Sequence, residues 1–190
     1  ASNMYESMLF LAWGVGLFAV ISLVLKNRIL IFNSTAMSAL AMVLVDRLPM
    51  DPFIHPMQPV LSGTPWLAIH VPIIMVSYAT LAIVTLFAHV VVAVEIFAPQ
   101  RREMAHRWSQ LAYWYIHVGS ILLITGILTG SIWAASSWGG YWGWDPKEVW
   151  SLVAFLAYMA ILHARFDKQI EDFGVAVGSI AAFWMILMTY

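Results

Sequence analysis

The strongest constraint on the fold is a series of apolar runs that are each long enough to cross a lipid bilayer. A helix needs about 17 to 25 mainly apolar residues to span the hydrocarbon core of a membrane. Six segments have roughly this length or more, at residues 8–25, 29–45, 67–97, 111–135, 149–164 and 173–190. With 62% hydrophobic residues in 190, the chain has too much apolar surface for one soluble core. The sequence therefore predicts an all-α integral membrane protein with about six transmembrane helices.

The basic residues predict which way round these helices lie. If the six segments alternate in direction, only Arg47 and Lys147 lie on one side of the membrane. The other side holds Lys26, Arg28, Arg101, Arg102, Arg107, Arg165 and Lys168. Cytoplasmic loops of membrane proteins are enriched in lysine and arginine, so this second side is predicted to be cytoplasmic. The loops at 46–66 and 136–148 are then expected to face outward.

Composition also limits the chemistry and the partners. A net charge of −1 gives no basic footprint for a nucleic acid, and membrane lipid is the expected surrounding. The chain has no cysteine, which excludes a disulfide or a thiolate metal site within it, so any thiol chemistry must come from a partner. The first apolar run lacks a basic start and a small-residue cleavage site, and we interpret it as a spanning helix. No repeat or linker divides the sequence, so residues 1–190 are expected to form a single transmembrane domain.

The most unusual stretch is WGGYWGWDPKEVWSL at residues 138–152, in the predicted outward loop. Tryptophan and tyrosine gather at membrane surfaces in many proteins, so an interfacial belt is one interpretation of its rings. Asp145, Pro146 and Glu148 have the spacing of a capping box that opens a helix. A belt does not require the interspersed glycines, however, and glycine lets a backbone approach a flat ligand closely. Indoles offer such a ligand broad apolar contact and one N–H each, which favours a large planar amphipathic molecule such as a porphyrin.

A longer stretch that contains this loop, WAASSWGGYWGWDPKEVWSL at residues 133–152, resembles the WWD motif of the heme-handling protein superfamily. Its PKEVWSL end is most similar to the CcsA (ResC) family of cytochrome c synthase components. The resemblance extends to SNMYESMLFLAWG, WLAIHVPIIMVSYATLA and LLITGILTGSIWA, and so covers most of the chain. It implies that reduced heme b is held on the outward face.

The resemblance also implies which residues hold that heme. Those expected to contact it are Trp133, Trp138, Gly139, Tyr141, Trp142, Trp144 and Asp145. His70, in AIHVPIIM, is implied as an axial ligand of the outer heme iron, although by position alone it could equally hydrogen-bond between helices. The family places a second outer ligand after the sixth segment. That ligand is expected beyond Tyr190, in a longer protein or complex of which this chain is part.

A second heme within the membrane is implied at His163. His163 lies 18 residues after Asp145, about 27 Å along a helix, so it cannot share the outer site. The family pattern makes it a ligand of the inner heme iron, with the other ligand on the partner protein CcsB (ResB). His89 and His117 are predicted to lie near this depth, where each could tune the inner site or form an ordinary interhelical hydrogen bond. The sequence favours the hydrogen bond for both, and it predicts loop positions for His55 and His106.

The function implied is that of a heme-delivery and cytochrome c synthase subunit. It would present heme to the Cys-x-x-Cys-His segment of an apocytochrome c, whose thiols add to the heme vinyl groups. The family implies a complex with CcsB, fused or separate, in the bacterial cytoplasmic membrane with the active face toward the periplasm; a plastid thylakoid membrane is the second setting. Two alternatives stay open, namely a heme presenter without ligation that is similar to CcmC, and a quinol-linked membrane b-type cytochrome.

Overall fold

The computed structural model of the chain describes residues 4–24, 26, 28–49, 53 and 64–189. These residues form six α-helices: α1 (Met4–Val24), α2 (Arg28–Arg47), α3 (Trp66–Phe97), α4 (Arg102–Trp138), α5 (Pro146–Phe166) and α6 (Asp172–Leu187). A 3-10 turn at Pro99–Arg101 joins α3 to α4. The described residues contain no strand, and the predicted all-α class is confirmed.

Membrane-crossing length is reached by three stretches of the described chain. They are Trp66–Phe97, Pro99–Trp138 and Pro146–Phe166, which are all apolar enough to span a bilayer. Shorter apolar helical stretches occur at Met8–Val20 and Asp172–Leu187. The helix α2 belongs to neither group, because polar side chains such as Asn33 and Ser34 interrupt it. The membrane class is therefore confirmed, while the crossing at 29–45 and the total of six stay predictions.

The helix α4 is longer than the apolar run that predicts it. The sequence predicts a segment at 111–135, whereas the helix begins at Arg102 and ends at Trp138. Its 37 residues extend about 55 Å, well beyond the thickness of a hydrocarbon core. Hydropathy marks only the part of a helix that lies in lipid. The polar first turns are helical as well, and Arg107 there pairs with Glu103 one turn earlier at 2.6 Å.

The chain divides into two compact units, which we describe separately. The first unit contains residues 1–79 and 125–143, and the second contains residues 80–124 and 144–190. In the first unit, α1 packs on α2, and the hydroxyl of Ser38 donates to the carbonyl of Ala12 at 2.8 Å. In the second unit, the ring of Phe87 meets Trp108 and Tyr115 edge-on, with centroids 5.2 and 5.7 Å away. The single domain inferred from the sequence stays a prediction.

An ion-pair cluster ties together three helix ends of the second unit. Asp172, the first residue of α6, accepts a hydrogen bond from Arg165 near the end of α5 at 2.8 Å. Its other oxygen lies 2.7 Å from Nδ1 of His106 in the first turns of α4. His106 was predicted to lie in a loop, and this was wrong because the polar extension of α4 includes it. Its second ring nitrogen, Nε2, lies 2.8 Å from the side-chain amide of Gln110.

Candidate functional site

His70 of the first unit is held in one tautomer by a backbone carbonyl. Its Nδ1 lies 2.8 Å from the oxygen of Gly126 in α4. A carbonyl oxygen can only accept, so Nδ1 carries the proton and Nε2 of the neutral ring keeps its lone pair. Metal-ligating histidines commonly have this arrangement, in which a hydrogen bond at one nitrogen fixes the ring and raises the basicity of the other. The structure thus gives His70 the form that an axial ligand needs.

Gly130 of α4 makes room for this imidazole, and Gly126, one turn earlier in α4, makes room for Ile74. A Cβ added at Gly130 would lie 2.8 Å from Cε1 of His70, and one added at Gly126 would lie 2.6 Å from Cδ1 of Ile74. Gly126 and Gly130 are four residues apart in an apolar helix, the small-residue spacing that lets membrane helices approach closely. The sequence analysis did not single out these two glycines. Their spacing is visible in the sequence as GILTG, within LLITGILTG.

Two tryptophans of the first unit extend the surroundings of His70. The ring of Trp133 is parallel to the imidazole, with centroids 6.4 Å apart and an interplanar angle of 1°. Trp138 meets Trp133 edge-on, with centroids 6.2 Å apart. The indole nitrogen of Trp133 is buried and has no hydrogen-bond partner among the described residues. A buried donor without a partner costs free energy, and a bound acceptor would remove that cost. The arrangement therefore fits an amphipathic aromatic ligand.

Most of the aromatic side chains in the loop that begins at the end of α4 are exposed. Trp138, Tyr141 and Trp144 are 63, 68 and 73% exposed, whereas Trp142 is partly buried. Gly139 has a φ of +80°, a conformation that a residue with a side chain rarely adopts. Trp144 itself has a φ of +58°, which is unusual for so bulky a residue. Left-handed backbone costs about 1–2 kcal/mol in a residue with a Cβ, so the loop holds this indole in a strained position.

Asp145 has the structural role that its spacing predicts. Its carboxylate accepts a hydrogen bond from the backbone N–H of Glu148 at 2.8 Å. The carboxylate of Glu148 in turn accepts from the backbone N–H of Asp145 at 3.3 Å. With Pro146 at the first helical position, the predicted capping box is confirmed. Contact between Asp145 and heme stays a prediction.

His163 lies on a groove between α4 and α5 in the second unit. The groove has a volume of about 450 Å³, and most of the side chains that line it are apolar. His117 of α4 lines the same groove, whereas His89 is not among its lining residues. The sequence had favoured an interhelical hydrogen bond for both His89 and His117, whereas the structure gives each an intrahelical one: Nδ1 of His89 lies 2.7 Å from the carbonyl oxygen of Thr85, and Nδ1 of His117 lies 2.8 Å from that of Tyr113. The structure singles out His117 as the one that shares a surface with His163.

We also searched the described residues for a site that could hold a metal ion without a porphyrin. His55 lies outside the described residues. Within the described residues, no group of three or more histidine, aspartate or glutamate side chains is placed to hold a bare metal ion. Heme iron needs only one or two axial side chains, because the porphyrin supplies its other ligands. A single imidazole such as that of His70 is therefore enough for one axial bond to a heme iron.

These features define a class: helical membrane proteins that carry an exposed tryptophan-rich loop and histidines within their spanning segments. Residues 1–190 match the family model described as cytochrome C assembly protein, and the chain belongs to that family. The resemblance identified from the WWD motif is confirmed.

Individual relatives agree with the family match. The chain is 34% identical over 197 residues to the "Cytochrome c biogenesis protein CcsA" of Guillardia theta, in a match covering 88% of this chain and 64% of that protein. It is 30% identical to the CcsA of Prochlorococcus marinus (strain NATL1A) and 28% identical to that of Thermosynechococcus vestitus. Both of these matches cover all of this chain, and 71% and 73% of the relatives respectively. The chain thus spans about two thirds to three quarters of the length of these relatives.

Proposed function

We propose that the chain acts in cytochrome c biogenesis as a heme-delivery and heme-attachment subunit. The family and the names of its relatives support the biogenesis role. The observation that carries the heme proposal is the state of His70. Its Nδ1 donates to Gly126, which leaves the Nε2 lone pair for iron, and Trp133 lies parallel to the ring with an unpartnered N–H.

In this proposal heme is the substrate, held at an outer site built on His70 and the loop. His70 supplies one axial ligand, and a second ligand completes the coordination of the iron. Trp133, Trp138, Gly139, Tyr141, Trp142 and Trp144 form the surface against which the macrocycle rests. Asp145 acts through the helix that it caps. Two axial ligands leave the iron no open position for oxygen, which keeps the heme reduced on an oxidising face.

The attachment reaction requires placement more than acid–base chemistry. Each thiol of an apocytochrome Cys-x-x-Cys-His segment adds across one heme vinyl group. A carbon–sulfur bond forms, the thiol hydrogen ends on the other vinyl carbon, and no electrons are gained or lost overall. Holding two reactants in a productive geometry can supply about 7–11 kcal/mol of the barrier. The rigid seat of His70 on α4 provides such placement, and the absent cysteines make the acceptor protein the source of both thiols.

The inner site belongs to the same proposal. His163 ligates a second heme within the membrane, on the groove described above, before the heme moves to the outer face. The partner protein CcsB (ResB), fused or separate, completes the complex. We place it in the bacterial cytoplasmic membrane with the tryptophan loop toward the periplasm, and a plastid thylakoid membrane is the other setting for this orientation.

The test of the outer site is the absorbance spectrum of the full-length complex in detergent, oxidised and dithionite-reduced. We expect a low-spin b-type heme signal that falls in His70→Ala and returns with added imidazole. The control is His89→Ala, which removes a histidine whose Nδ1 is also held by a backbone carbonyl, that of Thr85. Absence of heme from the wild type, or an unchanged His70→Ala spectrum, would refute the outer site.

A second measurement separates attachment from simple presentation. The complex is produced together with an apocytochrome c that carries one Cys-x-x-Cys-His segment, and denatured acceptor is then assayed for covalently held heme. A synthase yields heme that stays with the acceptor after acid–acetone extraction. Extractable heme only would favour the CcmC-like presenter, and heme that is reduced by quinol and never leaves the chain would favour the b-type cytochrome.

A further inference from the structure

The orientation of Trp133 decides how its ring can meet a heme that is bound to His70. The bond from an axial imidazole to iron lies in the plane of the imidazole and stands perpendicular to the porphyrin. The ring of Trp133 is parallel to the imidazole within 1°, so it is also perpendicular to the porphyrin and cannot stack on it. Trp138, at 88° to Trp133, is the ring of the two that can lie parallel to the macrocycle. Trp133 therefore meets the heme with an edge, and the one polar group of an indole, the Nε1–H donor, lies on that rim.

Two hydroxyl groups of the first unit share the condition of this indole donor. Nε1 of Trp133, Oγ of Ser137 and Oγ1 of Thr64 are all buried without a hydrogen-bond partner among the described residues. Ser137 lies four residues after Trp133 in α4, and residues four apart share one face of a helix. All three residues belong to the same compact unit as His70. We call these three residues the donor cluster.

The packing of α3 on α4 places Thr64 at the same end of the unit as the other two donors. A step from Gly126 to Gly130 in α4 matches a step from Ile74 to His70 in α3, since an added Cβ at each glycine would meet the corresponding side chain. The two helices are therefore antiparallel in this register. One more step of four residues brings the start of α3 to the level of the last turn of α4. Thr64 comes two residues before α3 begins, and so lies at that level too.

Heme b offers acceptors for such donors at only one part of its rim. Its two propionate side chains end in carboxylates, whereas its methyl and vinyl groups neither donate nor accept hydrogen bonds. A carboxylate only accepts, and hydrogen bonds to a charged acceptor are stronger than those between neutral groups. Moving a charge out of water is costly unless it is hydrogen-bonded, so a partly buried carboxylate needs several donors. The donor cluster meets that need with one N–H and two hydroxyl groups.

We propose that Thr64, Trp133 and Ser137 bind a propionate of the outer heme and thereby fix the rotation of the macrocycle about the bond from His70 to iron. This inference rests on the proposed heme function and deepens it. One axial bond holds the iron but allows the macrocycle to rotate about that bond. Propionates and vinyl groups occupy opposite halves of heme b, so a bound propionate directs the vinyl edge away from the donor cluster. The donor cluster thus selects tetrapyrroles that carry carboxylates, and it determines which edge an acceptor thiol can reach.

The test compares heme with its dimethyl ester, in which neither carboxylate carries a charge. The full-length complex is stripped of heme in detergent and titrated with each ligand. A His163→Ala background keeps the inner site from contributing to the low-spin signal. We expect heme to bind about tenfold or more tighter than the ester, because hydrogen bonds to a charged group are worth more than those to a neutral one. The quantity compared between variants is the ratio of the two Kd values, in which differences in ligand solubility cancel.

Three substitutions each remove one donor and leave an apolar side chain in its place: Thr64→Val, Trp133→Phe and Ser137→Ala. Each should bring the Kd for heme closer to the Kd for the ester. For the two hydroxyl variants, the affinity for the ester itself should not change. The matched control is Ser136→Ala, which removes a hydroxyl that already donates to the backbone carbonyl of Trp133 at 2.7 Å. It should leave the preference for heme as it is in the wild type.

The outcomes separate this inference from the proposed function. If His70→Ala loses the low-spin signal while the wild type binds heme and the ester equally, the outer site stands and the donor cluster is overturned. A preference for heme that survives all three substitutions would place carboxylate recognition elsewhere. Equal losses of both ligands in the three variants would show a structural role only, and would also overturn the proposal. If the wild type binds neither ligand, the outer site and its donor cluster fall together.

Discussion

The imidazole of His70 can keep its position because Gly130 has no side chain. At Gly130 an added Cβ would lie 2.8 Å from Cε1 and 3.0 Å from Nδ1 of His70. Atoms do not pack at such distances, so the ring of His70 would have to swing away and lose its hydrogen bond to Gly126. Rotation of one side chain costs the fold little free energy, whereas in the heme proposal it would misalign the axial ligand. The proposed site therefore depends on Gly130 as well as on His70.

The first prediction follows for Gly130→Ala. We expect heme affinity at the outer site to fall by about tenfold or more, as is common when the group that orients a metal-binding histidine is lost. Thermal stability should change little. Heme titration into the purified complex measures the first quantity, and a melt followed by circular dichroism measures the second.

Gly140→Ala is the matched control for that substitution. It makes the same chemical change ten residues further along, where an added Cβ would meet no atom within 4 Å. Both variants binding heme as tightly as the wild type would contradict the role of Gly130. Equal loss in both would mean that the region tolerates no change, and that the contact with His70 is not the reason.

The second prediction concerns the strained backbone of Trp144. Its φ of +58° is costly for any residue with a Cβ and nearly free for glycine. Trp144→Gly and Trp144→Ala both remove the ring, so both should weaken heme binding equally. The glycine variant should be the more stable of the two by about 1 kcal/mol. Denaturant unfolding of the pair measures the difference, and an equal stability of the two variants would exclude strain at this position.

At the scale of elements, the start of α5 is the feature that the sequence predicts most directly: the helix begins at Pro146, immediately after its N-cap Asp145. Capping depends on residues three apart in the chain, so the spacing of Asp145, Pro146 and Glu148 was enough to predict it. Contacts between distant segments left weaker signals. The carbonyl of Gly126 that holds His70 is 56 residues away from it, and the shared groove of His117 and His163 depends on how α4 and α5 pack. Apolar periodicity does not encode either contact, because in lipid a helix is apolar on all its faces.

The third prediction separates the two roles open to Asp145. If it acts only as a cap, Asp145→Asn keeps an accepting oxygen and should keep both the helix start and the bound heme. Asp145→Ala removes the cap and should destabilise the start of α5 by about 1 kcal/mol. Hydrogen exchange of the amides from Lys147 to Val149 reports the cap, and heme content reports the site. A loss of heme in Asp145→Asn with unchanged exchange would assign Asp145 a direct part in heme binding.

At the scale of the whole molecule, the sequence predicts the class and the direction of the chain from different signals. Length and hydropathy predict helices in a membrane, and the structure confirms both. The distribution of lysine and arginine predicts direction, and that prediction depends on α2 crossing the membrane. Without a crossing at α2, every later loop changes side relative to Lys26 and Arg28, and the basic residues divide five to four between the two sides. The prediction that the tryptophan loop faces outward therefore depends on whether α2, with its polar Asn33 and Ser34, crosses the membrane.

The fourth prediction tests this direction with single cysteines, which are uniquely reactive because the chain has none of its own. Gly140→Cys places a thiol in the tryptophan loop, Leu48→Cys places one after α2, and Gln169→Cys places one between α5 and α6; all three positions are exposed. Intact cells are treated with a membrane-impermeant maleimide. Gly140→Cys and Leu48→Cys should be labelled, whereas Gln169→Cys should react only after the membrane is opened. Labelling at Gln169 with protection at Gly140 would reverse the orientation and move the outer heme site to the cytoplasmic face. Labelling at only one of Leu48 and Gly140 would show that α3 or α4 does not cross, because these two helices lie between the two positions. The crossing of α2 is tested by Lys26→Cys, an exposed position before α2: it should be protected while Leu48→Cys is labelled, and labelling of both would show that α2 does not cross.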